Sequence, residues 1–341
     1  MVDLEGRMVL PGFVDLQVNG GGGVLFNEEI TAEAIATIAE SHAAYGTAAF
    51  LPTLITGTPS EVRRAAHAVA EARRRNIVGV LGLHLEGPFI STAKPGIHPA
   101  EKISAFSRSL VDEVLNAGVG VLMMTLAPER IADQDLKYLV DSGVIVWCGH
   151  SNATYDQAQR AFDLGAVGVT HLFNAMPPML SRDPGLVGAA LANDHVYTSI
   201  IADGHHVHPA VVKAALTAKP RDRQILITDA MSLTGSDLSE FAFGGKTIRS
   251  IEGRCVDDAG TLAGADLNML AALNNAASFC GSTPAELLAL TTTNPSSAIR
   301  STESAGVIAE GTPASFVVLD HDGSVFQTWS QGIQTYSKSA I

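Results

Sequence analysis

The stretch "TAAFLPTLITGTPSEVRRAAHAVAEARRRNIVGVLGLHLEG", residues 47–87, contains one complete strand–helix–strand unit. Residues 47–56 and 77–87 are short apolar runs rich in β-branched and small side chains. Between them, residues 60–76 place apolar side chains at helical spacing, with Ser60 as the predicted N-cap. Two strands joined by a helix of this length are typical of a parallel β-sheet.

The same alternation continues through the first 230 residues, and the helix between the first two strands has Thr31 as its predicted N-cap. The eight apolar runs are "RMVLPGFVDLQV", "TAAFLPTLIT", "IVGVLGLHLEG", "GVLMMTLAP", "GVIVWCGH", "GAVGVTHLF", "VYTSIIADG" and "QILITDA". Strands that are apolar on both faces indicate a parallel sheet covered by helices. Eight such units predict a closed (β/α)8 TIM-type barrel, and a doubly wound sheet is the alternative.

The pattern changes after Asp229. Residues at about 241–262 alternate with a two-residue period around glycine turns, which predicts a β-hairpin excursion within a catalytic barrel of residues 9–303. The tail is again strand-like and too short to fold by itself. We therefore expect residues 1–8 and 304–341 to form the remnant of a small, incomplete β-sandwich.

Composition excludes several classes of partner. The 341 residues include 22 Lys and Arg against 35 Asp and Glu, a formal charge of −13, which disfavours nucleic acid and anionic membrane surfaces. The three cysteines are widely spaced and form no CxxC pair, as expected in a reducing compartment, so we predict a cytoplasmic protein. No apolar run reaches the roughly 18 residues of a membrane span.

Polar residues with catalytic chemistry fall at the ends of the predicted strands. Glu86, His150, His171 and Asp229 end the third, fifth, sixth and eighth runs. The carboxyl ends of barrel strands meet at one mouth, so these residues should share one site. Two imidazoles and a carboxylate suit Zn²⁺, with Fe²⁺ or Co²⁺ as alternatives, and leave a position for water. Asp229 is then the expected proton acceptor and donor.

Each of these side chains could instead be a structural residue that satisfies hydrogen bonds at its own strand end. Burying all four at one mouth without a metal would leave polar groups unpaired, which is costly. His84 lies two residues before Glu86 and so points to the same face. It is either a fourth ligand or a residue that supports the ligands, and we favour the supporting role.

A family resemblance is carried by "LPGFVDLQVNG", "GLHLEGPFIS", "GIHP", "GHSNAT", "THLFNAMPPM", "IADGHHV", "ITDAMSLTG" and "GTLAGADLNM". These motifs occur in order between about residues 8 and 300 and resemble the N-acetylglucosamine-6-phosphate deacetylases of the amidohydrolase superfamily. The resemblance implies a metal-dependent hydrolase that converts N-acetyl-D-glucosamine 6-phosphate to D-glucosamine 6-phosphate and acetate in amino-sugar catabolism.

The resemblance also implies roles for individual residues. It gives Glu86, His150 and His171 as metal ligands, and Asp229 and His98 as catalytic residues. The residues it implies for substrate binding are Ile97, His98, Asn174, Ala175, Arg182, His206, Leu262, Ala263 and Gly264. In relatives the counterparts of Arg182 and His206 contact the phosphate across a homodimer interface, so we expect a homodimer whose two chains complete each other's sites.

The stretch "FVDLQVNG" bears on the number of metal ions. In the wider superfamily a histidine pair at this strand end holds a second metal, and Gln17 and Asn19 stand there in this chain. The resemblance therefore implies one divalent ion per subunit. Gln17 is expected to hydrogen-bond the water on the metal, or the substrate.

Three other readings remain open. The resemblance extends to a deacetylase for the galactosamine epimer. Hydrolysis of another amide is disfavoured because no strand ends in a lysine that could be carboxylated. Relatives also carry a longer segment ahead of "PGF", largely missing here, and a chain lacking it could be a non-catalytic relic that binds sugar phosphates.

Overall fold

The computed structural model describes residues 4–301 and 306–338. Eight parallel strands form a nearly closed barrel, which confirms the predicted TIM-type fold. In chain order the barrel strands are Phe13–Val18, Thr47–Ile55, Gly82–Glu86, Val121–Leu126, Ile145–Cys148, Gly168–Val169, Tyr197–Ile201 and Gln224–Ile227. Nearly every residue in them is buried, because their side chains pack either inside the barrel or under the helices.

The barrel closes differently where its first and eighth strands meet. Among the described residues, no continuous ladder joins these strands, and a single parallel bridge links Val18 to Ala230. The buried carboxylate of Asp15 adds side-chain contacts below that bridge. It accepts hydrogen bonds from the backbone N–H of Thr228 at 3.3 Å and from Oγ1 of Thr228 at 2.5 Å. We call this junction the seam.

Helices cover the outside of the barrel. They span Ala32–Ala43, Pro59–Arg74, Arg108–Asn116, Asp133–Asp141, Tyr155–Asp163, Gly185–Ala192, Pro209–Ala218, Met269–Cys280, Pro284–Leu287 and Thr293–Ala298. Thr31 caps the first helix, as predicted. The prediction of Ser60 as a cap is wrong, because Thr58 caps the second helix and forms a capping box with Glu61. No helix within the described ranges is both long and apolar enough to cross a bilayer.

A four-stranded antiparallel sheet, which we call the insert, follows the eighth barrel strand. Its strands are Glu240–Phe243, Lys246–Ile251, Arg254–Val256 and Leu262–Ala265. The inner face of the insert packs Phe243, Ile248 and Cys255 against Met231, just beyond the eighth barrel strand. The insert is therefore attached beside the barrel mouth.

The two ends of the chain meet in a second antiparallel sheet. Its strands, in spatial order, are Met8–Pro11, Phe316–Leu319, Val325–Ser330 and Ile333–Ser337. Oγ1 of Thr328 donates to the carbonyl of Ala43 at 2.6 Å, which ties this sheet to the end of the first helix. The predicted division between residues 303 and 304 lies outside the described residues.

Candidate active site

Four chemically active side chains stand at the carboxyl ends of barrel strands. Glu86 is the last residue of the third strand, and His150, His171 and Asp229 each lie two residues beyond a strand end. These three residues have φ angles of 45°, 34° and 51°. That left-handed region is uncommon for residues other than glycine and costs of the order of 1–3 kcal/mol at each position. The fold thus supports a strained backbone where its reactive groups lie.

Glu86, His150 and His171 form a buried cluster of potential metal ligands. Nε2 of His150 and Nε2 of His171 lie 3.0 and 2.9 Å from Oε1 of Glu86, and 3.1 Å from each other. Zinc binds such atoms at about 2.0–2.1 Å, which sets tetrahedral ligands about 3.3 Å apart. The cluster therefore has both the donor types and the spacing of a site for a divalent metal ion.

The protons of the two histidines support this assignment. Nδ1 of His150 lies 3.0 Å from the carbonyl oxygen of Lys94 and donates to it. A neutral imidazole carries one proton, so Nε2 of His150 presents a lone pair to Glu86 and His171. Nδ1 of His171 is buried and has no hydrogen-bond partner among the described residues. The lone pair of His150 and the carboxylate oxygen of Glu86 thus face the same point, as a cation requires.

The electrostatics of the cluster favour an ionised Glu86 and a neutral His150. Burial opposes ionisation of Glu86, but its close contacts with the imidazoles of His150, His171 and His98 outweigh burial and hold the pKa of the carboxyl well below its usual range. Burial lowers the pKa of His150 to about 4. Burial also acts on His171, yet its hydrogen bond to Glu86 raises its pKa. A metal ion would find an ionised Glu86 and a neutral His150, and would displace any proton from His171.

His98 lies on the loop after the third strand and contacts the cluster from one side. Its ring centroid is 4.0 Å from that of His150, and its Nε2 is 3.6 Å from Oε2 of Glu86. Its other nitrogen, Nδ1, is 2.8 Å from Oγ1 of Thr56. The hydroxyl of Thr56 fixes the ring, and Nε2 is left beside the metal-ligand cluster.

Asp229 is held by two amides from the first strand. Its Oδ1 accepts hydrogen bonds from Nε2 of Gln17 at 2.9 Å and from Nδ2 of Asn19 at 2.7 Å. Oδ2 takes neither bond and is the oxygen left for proton exchange. Burial raises the pKa of Asp229 to about 6, and the negative charge of Glu86 acts in the same direction. In the structure, Gln17 is therefore hydrogen-bonded to the carboxylate of Asp229.

His84 is buried among threonine hydroxyls. Nδ1 lies 3.1 Å from Oγ1 of Thr53, and Nε2 lies 2.8 Å from Oγ1 of Thr125. Thr125 in turn contacts Oγ1 of Thr170, the residue before His171, at 2.7 Å. Burial lowers the pKa of His84 to about 4, so the ring is neutral. With both nitrogens engaged, His84 is placed to support the ligands rather than to join them.

A cavity of about 310 Å³ opens above these groups at the barrel mouth. Glu86, His150, His171 and Asp229 all line it. The predicted substrate-binding residues that also line it are Ile97, His98, Asn174, Ala175, His206, Leu262 and Gly264. Residues widely separated along the chain thus face one open cavity of a size suited to a small ligand.

Arg182 and Ala263 are placed elsewhere. Arg182 is exposed and lines a separate cavity with Asn152 and Tyr155. The side chain of Ala263 is fully buried in the apolar cluster of the insert that includes Met231. Within one chain, neither side chain reaches the cavity that contains the metal-ligand cluster.

His206 has a defined place within its own chain. It lines the cavity of its own chain, together with Asp229. The physical reason is a contact that the sequence did not reveal: Oδ2 of Asp203 lies 2.6 Å from Nδ1 of His206 and holds the ring there. That His206 also reaches the site of a neighbouring subunit stays a prediction.

Comparison with known proteins gives a family. Residues 8–335 match the model of the amidohydrolase family, which covers nearly the whole described structure. The chain belongs to the amidohydrolase family. Its (β/α)8 barrel and the buried Glu86–His150–His171 cluster are the features of this amidohydrolase that carry the site.

Individual relatives resemble this amidohydrolase along most of its length. An N-acetylgalactosamine-6-phosphate deacetylase of Shewanella sp. strain ANA-3 is 41% identical over 98% of this chain and 84% of that protein. An N-acetylglucosamine-6-phosphate deacetylase of Haemophilus influenzae is 36% identical, over 97% of this chain and 87% of its own. The crystal structure of the N-acetylglucosamine-6-phosphate deacetylase of Pasteurella multocida superposes with a TM-score of 0.93 at 37% identity, covering 97% and 87% of the two chains.

Three residues of this amidohydrolase support the site without having been predicted to do so. Asn19 could have been found from the two-residue period of a strand, which puts it on the same face as Gln17. Thr56 directly follows a buried strand, where a polar residue reaches the barrel mouth. Asp203 gives a weaker signal, because its bond to His206 depends on a turn.

Proposed function

We propose that this amidohydrolase hydrolyses the acetamide of N-acetyl-D-glucosamine 6-phosphate and releases D-glucosamine 6-phosphate and acetate. The observation that carries the proposal is the buried cluster of Glu86, His150 and His171 beside Asp229, in one cavity. The named relatives that share most of the chain support the substrate class.

Glu86, His150 and His171 would hold one divalent metal ion, for which Zn²⁺ is the first choice and Fe²⁺ and Co²⁺ are alternatives. When bound, the ion supplies a Lewis acid that lowers the pKa of a water molecule and polarises the acetamide carbonyl. Gln17 and Asn19 donate their amide hydrogens to Asp229, and neither offers the imidazole that would hold a second ion.

Asp229 is the proposed proton carrier. Its Oδ2 accepts a proton from the attacking water and returns it to the nitrogen of the acetamide as the C–N bond breaks. A pKa raised to about 6 suits a group that must both accept and release a proton near neutral pH. Gln17 and Asn19 keep the carboxylate in the orientation that this exchange needs.

His98 is the proposed hydrogen-bond donor to the acetamide oxygen. Its Nε2 lies beside Glu86 and the opening of the cavity, where the negative charge on that oxygen would develop. Ile97, Asn174, Ala175, Leu262 and Gly264 line the same space and would contact the sugar, with Ala263 contributing its backbone.

His206 and Arg182 are the proposed phosphate ligands, and they come from different chains. His206 lies in the cavity of its own chain, whereas Arg182 is exposed on a loop with Met179 and Leu180, each 55% exposed. An exposed apolar pair beside an arginine fits a loop that packs against a second copy. We therefore propose a cytoplasmic homodimer in which Arg182 reaches the partner's phosphate site.

The galactosamine epimer is a second candidate substrate. The relative with 41% identity is an N-acetylgalactosamine-6-phosphate deacetylase. The two candidate reactions break the same acetamide C–N bond by the same steps.

The test measures acetate release from the 6-phosphates of N-acetylglucosamine and N-acetylgalactosamine. The purified protein is assayed after chelation and after reloading with Zn²⁺, Fe²⁺ or Co²⁺. We expect metal-dependent turnover of at least one substrate, near one metal ion per chain, and the ratio of kcat/KM values identifies the preferred epimer. A folded protein that binds no metal and releases no acetate would instead be a non-catalytic sugar-phosphate-binding relic.

A further inference from the structure

Asp203 and His206 form a buried pair on the loop after the seventh barrel strand. Oδ2 of Asp203 lies 2.6 Å from Nδ1 of His206, and each side chain is 6% exposed. Oδ1 of the same carboxylate accepts hydrogen bonds from the backbone N–H groups of His205 and His206, both at 2.8 Å. Three donors therefore converge on one carboxylate, and both of its oxygens are used.

This contact determines the state of the imidazole. Burial opposes ionisation of Asp203, but the hydrogen bond from His206 outweighs it and keeps the pKa of the carboxyl below its usual value. An ionised carboxylate accepts at Nδ1, so that nitrogen carries a proton. Nε2 of His206 is the nitrogen that remains to interact with a ligand.

The cavity contributes few groups of its own that could meet a phosphate. No lysine or arginine belongs to its lining within the described part of the chain, and Glu86 and Asp229 already add negative charge there. The whole chain carries a formal charge of −13. A phosphate monoester with two negative charges would be repelled unless a positive group met it.

We propose that Asp203 is a positioning residue for substrate binding: it holds the ring of His206 so that Nε2 meets the 6-phosphate of the amino sugar. This inference rests on the proposed function, because it assumes a phosphorylated substrate in the cavity. Asp203 itself touches only His205 and His206 in the contacts described, so it acts through the imidazole.

The variant Asp203→Asn tests this role. Asparagine has one acceptor oxygen and one amide donor, so it cannot satisfy the three donors that Asp203 serves. For the preferred 6-phosphate, KM should rise roughly tenfold or more, the size of a lost charge-assisted hydrogen bond, while kcat stays within about threefold. Turnover of unphosphorylated N-acetylglucosamine should not change. His205→Ala, which alters an exposed imidazole on the same loop, is the matched control.

A double-mutant cycle separates positioning from general damage to the loop. If Asp203 acts through the imidazole, then Asp203→Asn should add no further loss in a His206→Ala background. Equal losses on the phosphorylated and unphosphorylated sugars, or additive losses in the cycle, would overturn the proposal.

Calorimetric binding measurements test the role of Asp203 separately from the proposed deacetylation. Glucosamine 6-phosphate and glucosamine are titrated into the wild type and into Asp203→Asn. We expect the variant to lose affinity for the 6-phosphate by roughly tenfold and to leave binding of glucosamine unchanged. Absence of acetate release from both acetylated 6-phosphates would defeat the proposed function alone. Unchanged affinity for glucosamine 6-phosphate would defeat the role of Asp203.

Discussion

Gln17 donates a hydrogen bond from Nε2 to Oδ1 of Asp229 at 2.9 Å, across the seam where the first and eighth barrel strands meet. The two residues are 212 positions apart in the chain. The backbone N–H of Asp229 also donates to the carbonyl of Gln17 at 3.1 Å. The proposed proton carrier is thus oriented by the closure of the barrel itself.

Gln17→Met should weaken catalysis without removing the metal. Methionine has a similar length but donates no hydrogen bond, so Oδ1 of Asp229 keeps only the bond from Asn19. A hydrogen bond to a charged group contributes about 1.5–3 kcal/mol, so we expect kcat to fall by roughly tenfold or more. Steady-state kinetics and metal content measured on the same preparation test this. A normal kcat would show that Asn19 alone orients the carboxylate.

Asp229→Asn should retain metal and substrate and lose turnover. An amide cannot accept and return the proton, and general acid–base catalysis contributes roughly 10²–10⁴-fold to such reactions. The measurement combines kcat, metal content and binding of the unhydrolysed substrate by calorimetry. Turnover within a factor of ten of the wild type would exclude Asp229 as the proton carrier.

Glu86→Ala should lose the metal ion, because the remaining pair of imidazoles supplies two ligands where a stable site needs at least three. His84→Gln is the comparison, since His84 is equally buried but its ring nitrogens contact Thr53 and Thr125. We expect near-normal metal content in His84→Gln, as measured by atomic emission on folded protein. Full metal occupancy in Glu86→Ala would refute the ligand assignment. Loss of the metal in His84→Gln would instead show that His84 is a fourth ligand.

Asp15→Asn should change how stability depends on pH. Burial raises the pKa of Asp15 to about 7 from the ordinary 3.8, so its contribution to folding is fully present below about pH 4 and is lost as the pH rises through 7. Asparagine does not titrate and still accepts through Oδ1 from the backbone of Gln17 and Thr228.

The variant should therefore gain stability relative to the wild type as the pH rises from 4 to 7, by up to about 1.4 kcal/mol per pH unit. Urea unfolding of the two proteins, with equal metal content, gives the comparison at each pH. Curves that stay parallel across this window would mean that Asp15 is already ionised in the folded protein.

The barrel could be predicted because its signal is local and repeated. Each strand is apolar on both faces and each helix has a polar outer side, so the order of elements alone points to the fold. The N-cap residue of the second helix could not be identified from the order of elements. Thr58, Pro59 and Ser60 are all residue types found at helix starts, and only the capping box with Glu61 decides between them.

The metal-ligand cluster could also be predicted, because the ends of parallel strands converge whatever the loops do. Hydrogen-bond partners could not be predicted in the same way. The bond from Asn19 to Asp229 and the bond from Thr56 to His98 depend on side-chain rotamers and on contacts between distant segments. The contact that holds His206 at the cavity of its own chain was missed for the same reason, since it depends on a turn at Asp203.

The positive φ angles at His150, His171 and Asp229 bear on how this activity is retained over generations. Glycine adopts such backbone freely, so replacing any of the three by glycine would relax a strand end and abolish its chemistry in one step. With respect to the backbone, an inactive descendant would fold at least as easily as its active parent. Selection for a foldable chain would therefore not preserve the site, and only selection on the reaction itself can do so.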